Sequence, residues 1–226
     1  MKSNILIKII LFLCSILSTS IFFMYRPMLW PFGFEAIICV ASSILFLLLL
    51  FVFRRLETKF IDNQQKANII FGLTIGLLWT IEISINNFIQ PCLPDRDIID
   101  NTFWGIISLI LLIKIIRDTY HSNKIISGIK TGLVTGFTSG LVACATALFL
   151  IVFFINYIIK DPLNAKEWTD IKGLSYSKDI SVYFAYQTYA GAMLHLYILG
   201  LLFGLIFGIL GGFMGKGLRL FKKRVD

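Results

Sequence analysis

The chain has 226 residues, of which 57% are hydrophobic and only 15% are charged, and its net charge is +8. A soluble domain usually carries about 25% charged residues, so this composition excludes an ordinary water-soluble globular protein. Membrane spans and short loops use nearly the whole length, and we therefore expect one polytopic membrane domain covering residues 1–226.

Six apolar stretches are candidates for helices that cross a hydrocarbon core of about 30 Å, a distance that needs about 20 residues. In the first, the apolar stretch is longer than the ~7–15 residues of a signal-peptide core, so we interpret it as an uncleaved anchor. The sequence therefore predicts an all-α integral membrane protein that forms a bundle of six transmembrane helices. The predicted spans are residues 4–24, 34–53, 67–89, 102–116, 127–158 and 190–214.

Basic residues are divided unequally between the two sides of this arrangement. One side has 15 of the 21 lysine and arginine residues with four acids, and the other has six basic residues with eight acids. Cytoplasmic loops carry the Lys/Arg excess, so we expect both termini in the cytoplasm and an external acidic loop with Asp95, Asp97 and Asp100. We expect the plasma membrane, most simply a bacterial inner membrane. Anionic headgroups account for the basic surplus, and no nucleic-acid partner is expected.

Glycine recurs at every fourth position in three of the spans. Residues four apart lie on one helical face, and small residues let helices approach closely in lipid. The spacing predicts glycine-zipper packing between helices, and the alternative is a mobile or pore-forming interface. The glycines are Gly72 and Gly76 in the third span, Gly128, Gly132, Gly136 and Gly140 in the fifth, and Gly200, Gly204, Gly208 and Gly212 in the sixth.

Glu82 is the only acidic residue deep within a predicted span. A charge at the bilayer centre costs at least ~2.5 kcal/mol, so this side chain should face protein or water. At 3.6 residues per turn, Asn86 and Asn87 share the polar half of the third helix with Glu82. These three residues form a candidate site for a solute, a proton or a cation. The alternative is a protonated glutamic acid that joins helices through hydrogen bonds. The opposite half is aliphatic, with Ile70, Leu77, Ile81, Ile85 and Phe88.

The sixth span begins with a polar stripe in which Gln187 and His195 are two helical turns apart. Glu82 is predicted at a similar depth, so His195 is a candidate partner for it. The alternative is a single hydrogen bond between helices. Four aromatic residues precede this span and predict a band at the membrane interface: Tyr183, Phe184, Tyr186 and Tyr189.

An intramembrane serine hydrolase is only a remote alternative. Such an enzyme needs a serine and a histidine in hydrogen-bond contact, and Ser139 and His195 both lie in predicted spans. The segment 136–140 has one residue too many for a Gly-x-Ser-Gly motif, and Ser139 is predicted to lie deeper than His195. We therefore predict no catalytic residue, metal site or cofactor. The four cysteines form neither a disulfide framework nor a metal-binding spacing.

These features favour a small-solute or ion transporter, or a membrane subunit of one. The main alternative is a non-catalytic membrane protein with a role in assembly, immunity or partner binding. That alternative depends on the glycine faces and on the lack of a reactive group of residues. The expected partners are the lipid bilayer and either a second copy of the chain or another membrane protein.

Overall fold

The computed structural model describes residues 2–25, 34–60, 62–171 and 179–225. These residues are almost entirely helical, and the described part contains no strand, which confirms the all-helical prediction. In chain order the helices are α1 (Lys2–Tyr25), α2 (Phe34–Phe60), α3 (Asn63–Ser84), α4 (Leu93–Ser122), α5 (Ile125–Lys160), α6 (Pro162–Lys166), α7 (Ile180–Leu194) and α8 (Phe203–Val225).

Three segments have the wider turns of a π-helix. Ile85–Ile89 continues α3, Glu167–Ile171 continues α6, and His195–Leu202 joins α7 to α8. Such turns insert an additional residue into a helix and often occur at functional sites. Three of the candidate site residues, Asn86, Asn87 and His195, lie in these segments.

Several helices are long and apolar enough to cross a membrane. The chain is therefore a membrane-embedded protein, and exposed aliphatic side chains such as Leu77 and Leu109 fit a lipid environment. The apolar part of α2, Ile37–Phe53, is shorter than the others. The five longer stretches are Ile5–Tyr25, Asn63–Ile89, Leu93–Ser122, Ile125–Lys160 and Ile180–Lys222.

The central helix is α5, which packs against α1, α3, α4, α7 and α8. One apolar cluster joins α5 to α1, α2 and α7, and a second joins it to α3, α4 and α7. Near its end α5 is kinked at Phe154, where φ is −133° and ψ is 21°. Because α5 touches so many neighbours, it holds α3 and α4 in the positions that form the site described below.

Glycines allow the backbones of α5 and its neighbours to approach closely. A Cβ atom added to Gly140 would lie 2.7 Å from the carbonyl oxygen of His195, and one added to Gly200 would lie 2.8 Å from that of Gly136. A Cβ atom at Gly72 on α3 would lie 2.7 Å from the carbonyl oxygen of Thr135. A larger residue at any of these positions would therefore have to displace backbone.

The start of α4 differs from the prediction. The helix begins at Leu93 rather than near residue 102, and Asp95, Asp97 and Asp100 lie on it rather than in a loop. Gln90 ends the preceding segment with a left-handed φ of 54°, and Pro94 occupies the first turn of α4. Proline and an acidic residue both favour a helix N-terminus, so the helix starts before the apolar stretch does.

The aromatic residues at the start of the sixth span lie inside the bundle. Tyr183, Phe184, Tyr186 and Tyr189 are all at most 4% exposed, so they pack against neighbouring helices, and their depth at the membrane interface stays a prediction. The Tyr189 hydroxyl forms a 2.5 Å hydrogen bond with that of Ser18 on α1. Because α7 packs against α1 and α5, its aromatic residues fill the space between helices.

Candidate functional site

Glu82, on α3, faces α4 through an amide bridge. The Nδ2 atom of Asn86 donates hydrogen bonds of 2.8 Å to Glu82 Oε1 and of 2.8 Å to Asp100 Oδ1. Glu82 is 6% exposed, and the Asn86 amide group connects its carboxyl group to that of Asp100. Glu82 and Asn86 are four residues apart on α3 and its π-helical extension, so one helical face presents both to α4.

Arg96 connects this pair to the end of α5. Its Nη2 atom lies 2.6 Å from Asp161 Oδ2 and donates a 3.2 Å hydrogen bond to the backbone oxygen of Asn86. Asp161 also caps α6, since its Oδ1 atom accepts a 3.0 Å hydrogen bond from the Leu163 amide. Five residues join α3, α4 and the end of α5, and we call them the acidic cluster: Glu82, Asn86, Arg96, Asp100 and Asp161.

The acidic cluster is not fully satisfied by its own hydrogen bonds. Glu82 Oε2, Asn86 Oδ1 and Arg96 Nε are buried atoms that have no hydrogen-bond partner. Leaving such an atom unpaired costs about 1–3 kcal/mol, and more for a charged group. Buried polar atoms are normally hydrogen-bonded to protein or to ordered water, so a water or another species can complete the contacts of these atoms.

A second polar group lies at the other end of α3 and α4. Lys114 Nζ lies 2.5 Å from Asp118 Oδ2 and donates a 3.0 Å hydrogen bond to Asn68 Oδ1. Thr131 on α5 donates to Asp118 Oδ2 at 2.9 Å and accepts from Asn68 Nδ2 at 3.1 Å. These four residues form a closed ring of polar contacts between α3, α4 and α5, which we call the lysine cluster.

Sequence reasoning missed the lysine cluster. Lys114 lies inside the predicted fourth span, yet it was counted with the basic residues of the cytoplasmic side. The available signal was a lysine between four aliphatic residues, followed by Asp118 one helical turn later. Asn68 lies on the same polar half of α3 as Glu82, but helical spacing does not identify the charged residue that it contacts.

A cavity of about 130 Å³ lies between α3, α4, α5 and α8, well above the ~10–15 Å³ that one water needs. The rings of Trp79 and Trp104 meet edge to face, with centroids 5.1 Å apart. On α3, Asn68 of the lysine cluster lies 14 positions before Glu82 of the acidic cluster. On α4, Asp100 lies 14 positions before Lys114, and each separation is about 21 Å along the helix. The cavity walls include Ile75, Trp79, Trp104, Ile107, Ser108 and Ser139.

The other predicted site residues do not join the acidic cluster. The Nδ1 atom of His195 is 2.9 Å from the backbone oxygen of Gly191, and its ring packs against Trp79. Asn87 donates to the backbone oxygen of Ile83 on its own helix. Gln187 donates a 2.9 Å hydrogen bond to the Tyr183 hydroxyl instead. Thus Glu82 and Asn86 come together, while Asn87, Gln187 and His195 make separate contacts.

Ser139 and His195 make no hydrogen bond to each other in the described part of the chain. The Ser139 hydroxyl donates a 2.9 Å hydrogen bond to the backbone oxygen of Gly136, one turn earlier on α5. The described residues also contain no group of three or more His, Cys, Asp or Glu side chains placed to hold a metal ion. Comparison with known proteins assigns no family to this arrangement: no family model, curated protein or solved structure matches the chain.

Proposed function

We propose that this protein moves a small solute or an ion across the plasma membrane, as a transporter or as the membrane subunit of one. The observation that carries the proposal is the seam between α3 and α4, where a cavity lined by residues 75–79 and 104–111 lies, in position along the two helices, between the acidic cluster and the lysine cluster. Ionisable side chains within membrane spans usually line substrate or ion pathways.

The energetic cost of the two clusters supports a role beyond packing. Burying ions is expensive, and apolar side chains of similar volume often stabilise a protein as well or better. The six ionisable residues of the two clusters, with the apolar Trp79 and Trp104 between the clusters, are therefore poorly explained by stability alone. A pathway that must bind and release a polar species accounts for them.

Six spans fit this proposal, with α7 and α8 forming the sixth and both termini in the cytoplasm. We further propose that the glycine series of α5 and α8 act as a glycine zipper. Interfaces made of backbone and glycine have few interlocking side chains, so the helices can shift against each other without extensive repacking. Such shear movements are a common way to open and close a site between helices.

Flux measurements on proteoliposomes test this proposal. The purified full chain is reconstituted, and uptake of a panel of small solutes and ions is compared with protein-free liposomes. The variant Ser108→Phe fills the cavity, and we expect it to abolish uptake. Leu109→Phe is the matched control, because Leu109 is on the same helix but exposed on its outer surface. If the unmodified protein moves nothing from the panel, or if both variants lose uptake equally, the proposal is wrong.

The alternative of a non-catalytic assembly, immunity or partner-binding protein has less support. It depends on glycine faces that are free to receive another helix. Within this chain the glycines of α5 lie against those of α8, and Gly72 and Gly76 of α3 lie against α5. These faces are therefore covered by helices of the same chain.

A further inference from the structure

The acidic cluster has two buried oxygen atoms that nothing in the described chain satisfies. Glu82 is 6% exposed, and its Oε2 atom has no hydrogen-bond partner. The Oδ1 atom of Asn86 is also buried and has no hydrogen-bond partner. Both atoms are acceptors, so the species that completes this site must be a hydrogen-bond donor or a cation.

The charges of the cluster point to a cation. Three carboxyl groups, those of Glu82, Asp100 and Asp161, face a single guanidinium group, that of Arg96. Arg96 lies 2.6 Å from Asp161 and donates to the backbone oxygen of Asn86, and among the described residues it forms no ion pair with Glu82 or Asp100. Glu82 and Asp100 are therefore left without a cationic partner, and two like charges this close repel strongly where the dielectric constant is low.

No other ionisable group of the described chain corrects this imbalance. His195 contacts the backbone oxygen of Gly191 on its own helix through Nδ1, and its ring packs against Trp79. Lys114 is about 21 Å away along α4 and is paired with Asp118. The described residues therefore do not supply the missing positive charge.

We propose that Glu82 and Asp100, with Asn86 between them, bind one exchangeable monovalent cation, a proton or Na⁺. Divalent ions fit less well, because Ca²⁺ takes six to eight oxygen ligands and Mg²⁺ requires an octahedral set. A proton needs only the two carboxyl oxygens. Sodium takes these together with Asn86 Oδ1, which turns toward the pair when the amide rotates. In both cases one positive charge is shared by the same oxygen atoms.

This inference deepens the proposed function, and its meaning for transport rests on that function. Binding of the cation removes the repulsion between Glu82 and Asp100 and holds the π-helical end of α3 against α4. Release of the cation restores the repulsion at one end of the cavity. Cation binding is thereby coupled to the opening of the α3–α4 seam.

Infrared difference spectroscopy of the reconstituted full chain tests the cation site directly. A protonated carboxyl group has a carbonyl band that disappears on ionisation, and that band shifts with its environment. We expect a band that is lost when pH rises or when Na⁺ is added at constant pH. Loss with pH alone identifies the proton as the cation, and loss on Na⁺ addition shows that sodium displaces it.

Substitutions assign the band to the cluster. We expect Glu82→Gln and Asp100→Asn each to remove the pH- or sodium-dependent change. Asp97→Asn is the matched control, because Asp97 is exposed on α4 less than one turn from Asp100, and the change should persist there. If Glu82→Gln does not purify as a folded protein, Asp100→Asn decides alone. A band that survives in Asp100→Asn, or no dependent band at all, overturns the inference.

The two proposals fail in different ways. A pH- or sodium-dependent band together with no uptake of any solute leaves the cation site standing and removes the transport function. Uptake that is unaffected by pH and by Na⁺, in a protein without the dependent band, retains transport and overturns the cation site.

Discussion

Lys114 and Asp118 form an ion pair of 2.5 Å within α4, and Lys114 lies between aliphatic residues. Their side chains are only 19% and 13% exposed, and both also contact residues of other helices, Asn68 and Thr131. The pair thus fixes α4 relative to α3 and α5 at one end of the seam. At the other end of the seam, the acidic cluster connects α3 to α4 through the hydrogen bond from Asn86 to Asp100.

Removing only the lysine of this pair should destabilise the protein strongly. Lys114→Met leaves Asp118 as a buried charge without a cation, which typically costs about 3–5 kcal/mol. Adding Asp118→Leu removes the stranded charge, so the double variant should recover at least half of that loss. Denaturant titration of the purified protein in mixed micelles measures both. Equal stability of the single and double variants would show that the two residues do not interact.

Glycine substitutions should separate helix contacts from exposed positions. Gly140→Ala places a methyl group 2.7 Å from the His195 carbonyl oxygen, and overpacking of this kind costs about 1–3 kcal/mol. Gly105→Ala meets nothing within 4 Å and raises helix propensity, so it should be neutral or stabilising by up to about 1 kcal/mol. Thermal unfolding in detergent gives the comparison. A Gly140→Ala variant as stable as Gly105→Ala would contradict the close approach of α5 to the π-helical segment.

Cysteine labelling should establish the side of the membrane on which α4 begins. Cys92 is exposed, whereas Cys14, Cys39 and Cys144 are buried, so a membrane-impermeant maleimide should react at Cys92 alone. With the termini in the cytoplasm, Cys92 should be labelled in intact cells.

The control for this experiment lies at the opposite end of α4. Lys124→Cys in a Cys92→Ser background should be labelled only after permeabilisation, because Lys124 is exposed in the turn between α4 and α5. Labelling of both positions from the same side would exclude α4 as a span.

The long helices, and the half of α3 that faces the bundle, could be predicted from the sequence because both depend on the residue pattern within a single helix. Hydropathy identified the long apolar stretches, and helical periodicity separated buried Glu82 from exposed Ile70, Leu77 and Ile81. These features require only the geometry of a single helix in lipid. The prediction that Glu82 faces protein is accordingly matched by its burial.

The partners of Glu82 could not be predicted in this way. Asp100 was assigned to a loop because an acidic segment lowers hydropathy, although Pro94 and Asp95 are favourable at a helix start. The lysine cluster joins three helices, and no spacing within one helix encodes which neighbours meet. His195 was matched to Glu82 by depth alone. His195 instead contacts the backbone oxygen of Gly191 one turn earlier on its own helix, a local contact that depth does not predict.

The π-helical segment His195–Leu202 determines which neighbours the last long helix can recognise. One additional residue rotates everything after it by about 100° relative to an uninterrupted α-helix. Without that offset, Tyr189 could still point toward Ser18, but Gly204 and Gly208 would turn away from α5. The segment thus changes the rotational register along this continuous helix, so that α7 presents aromatic side chains to α1 while α8 presents its glycine backbone to α5.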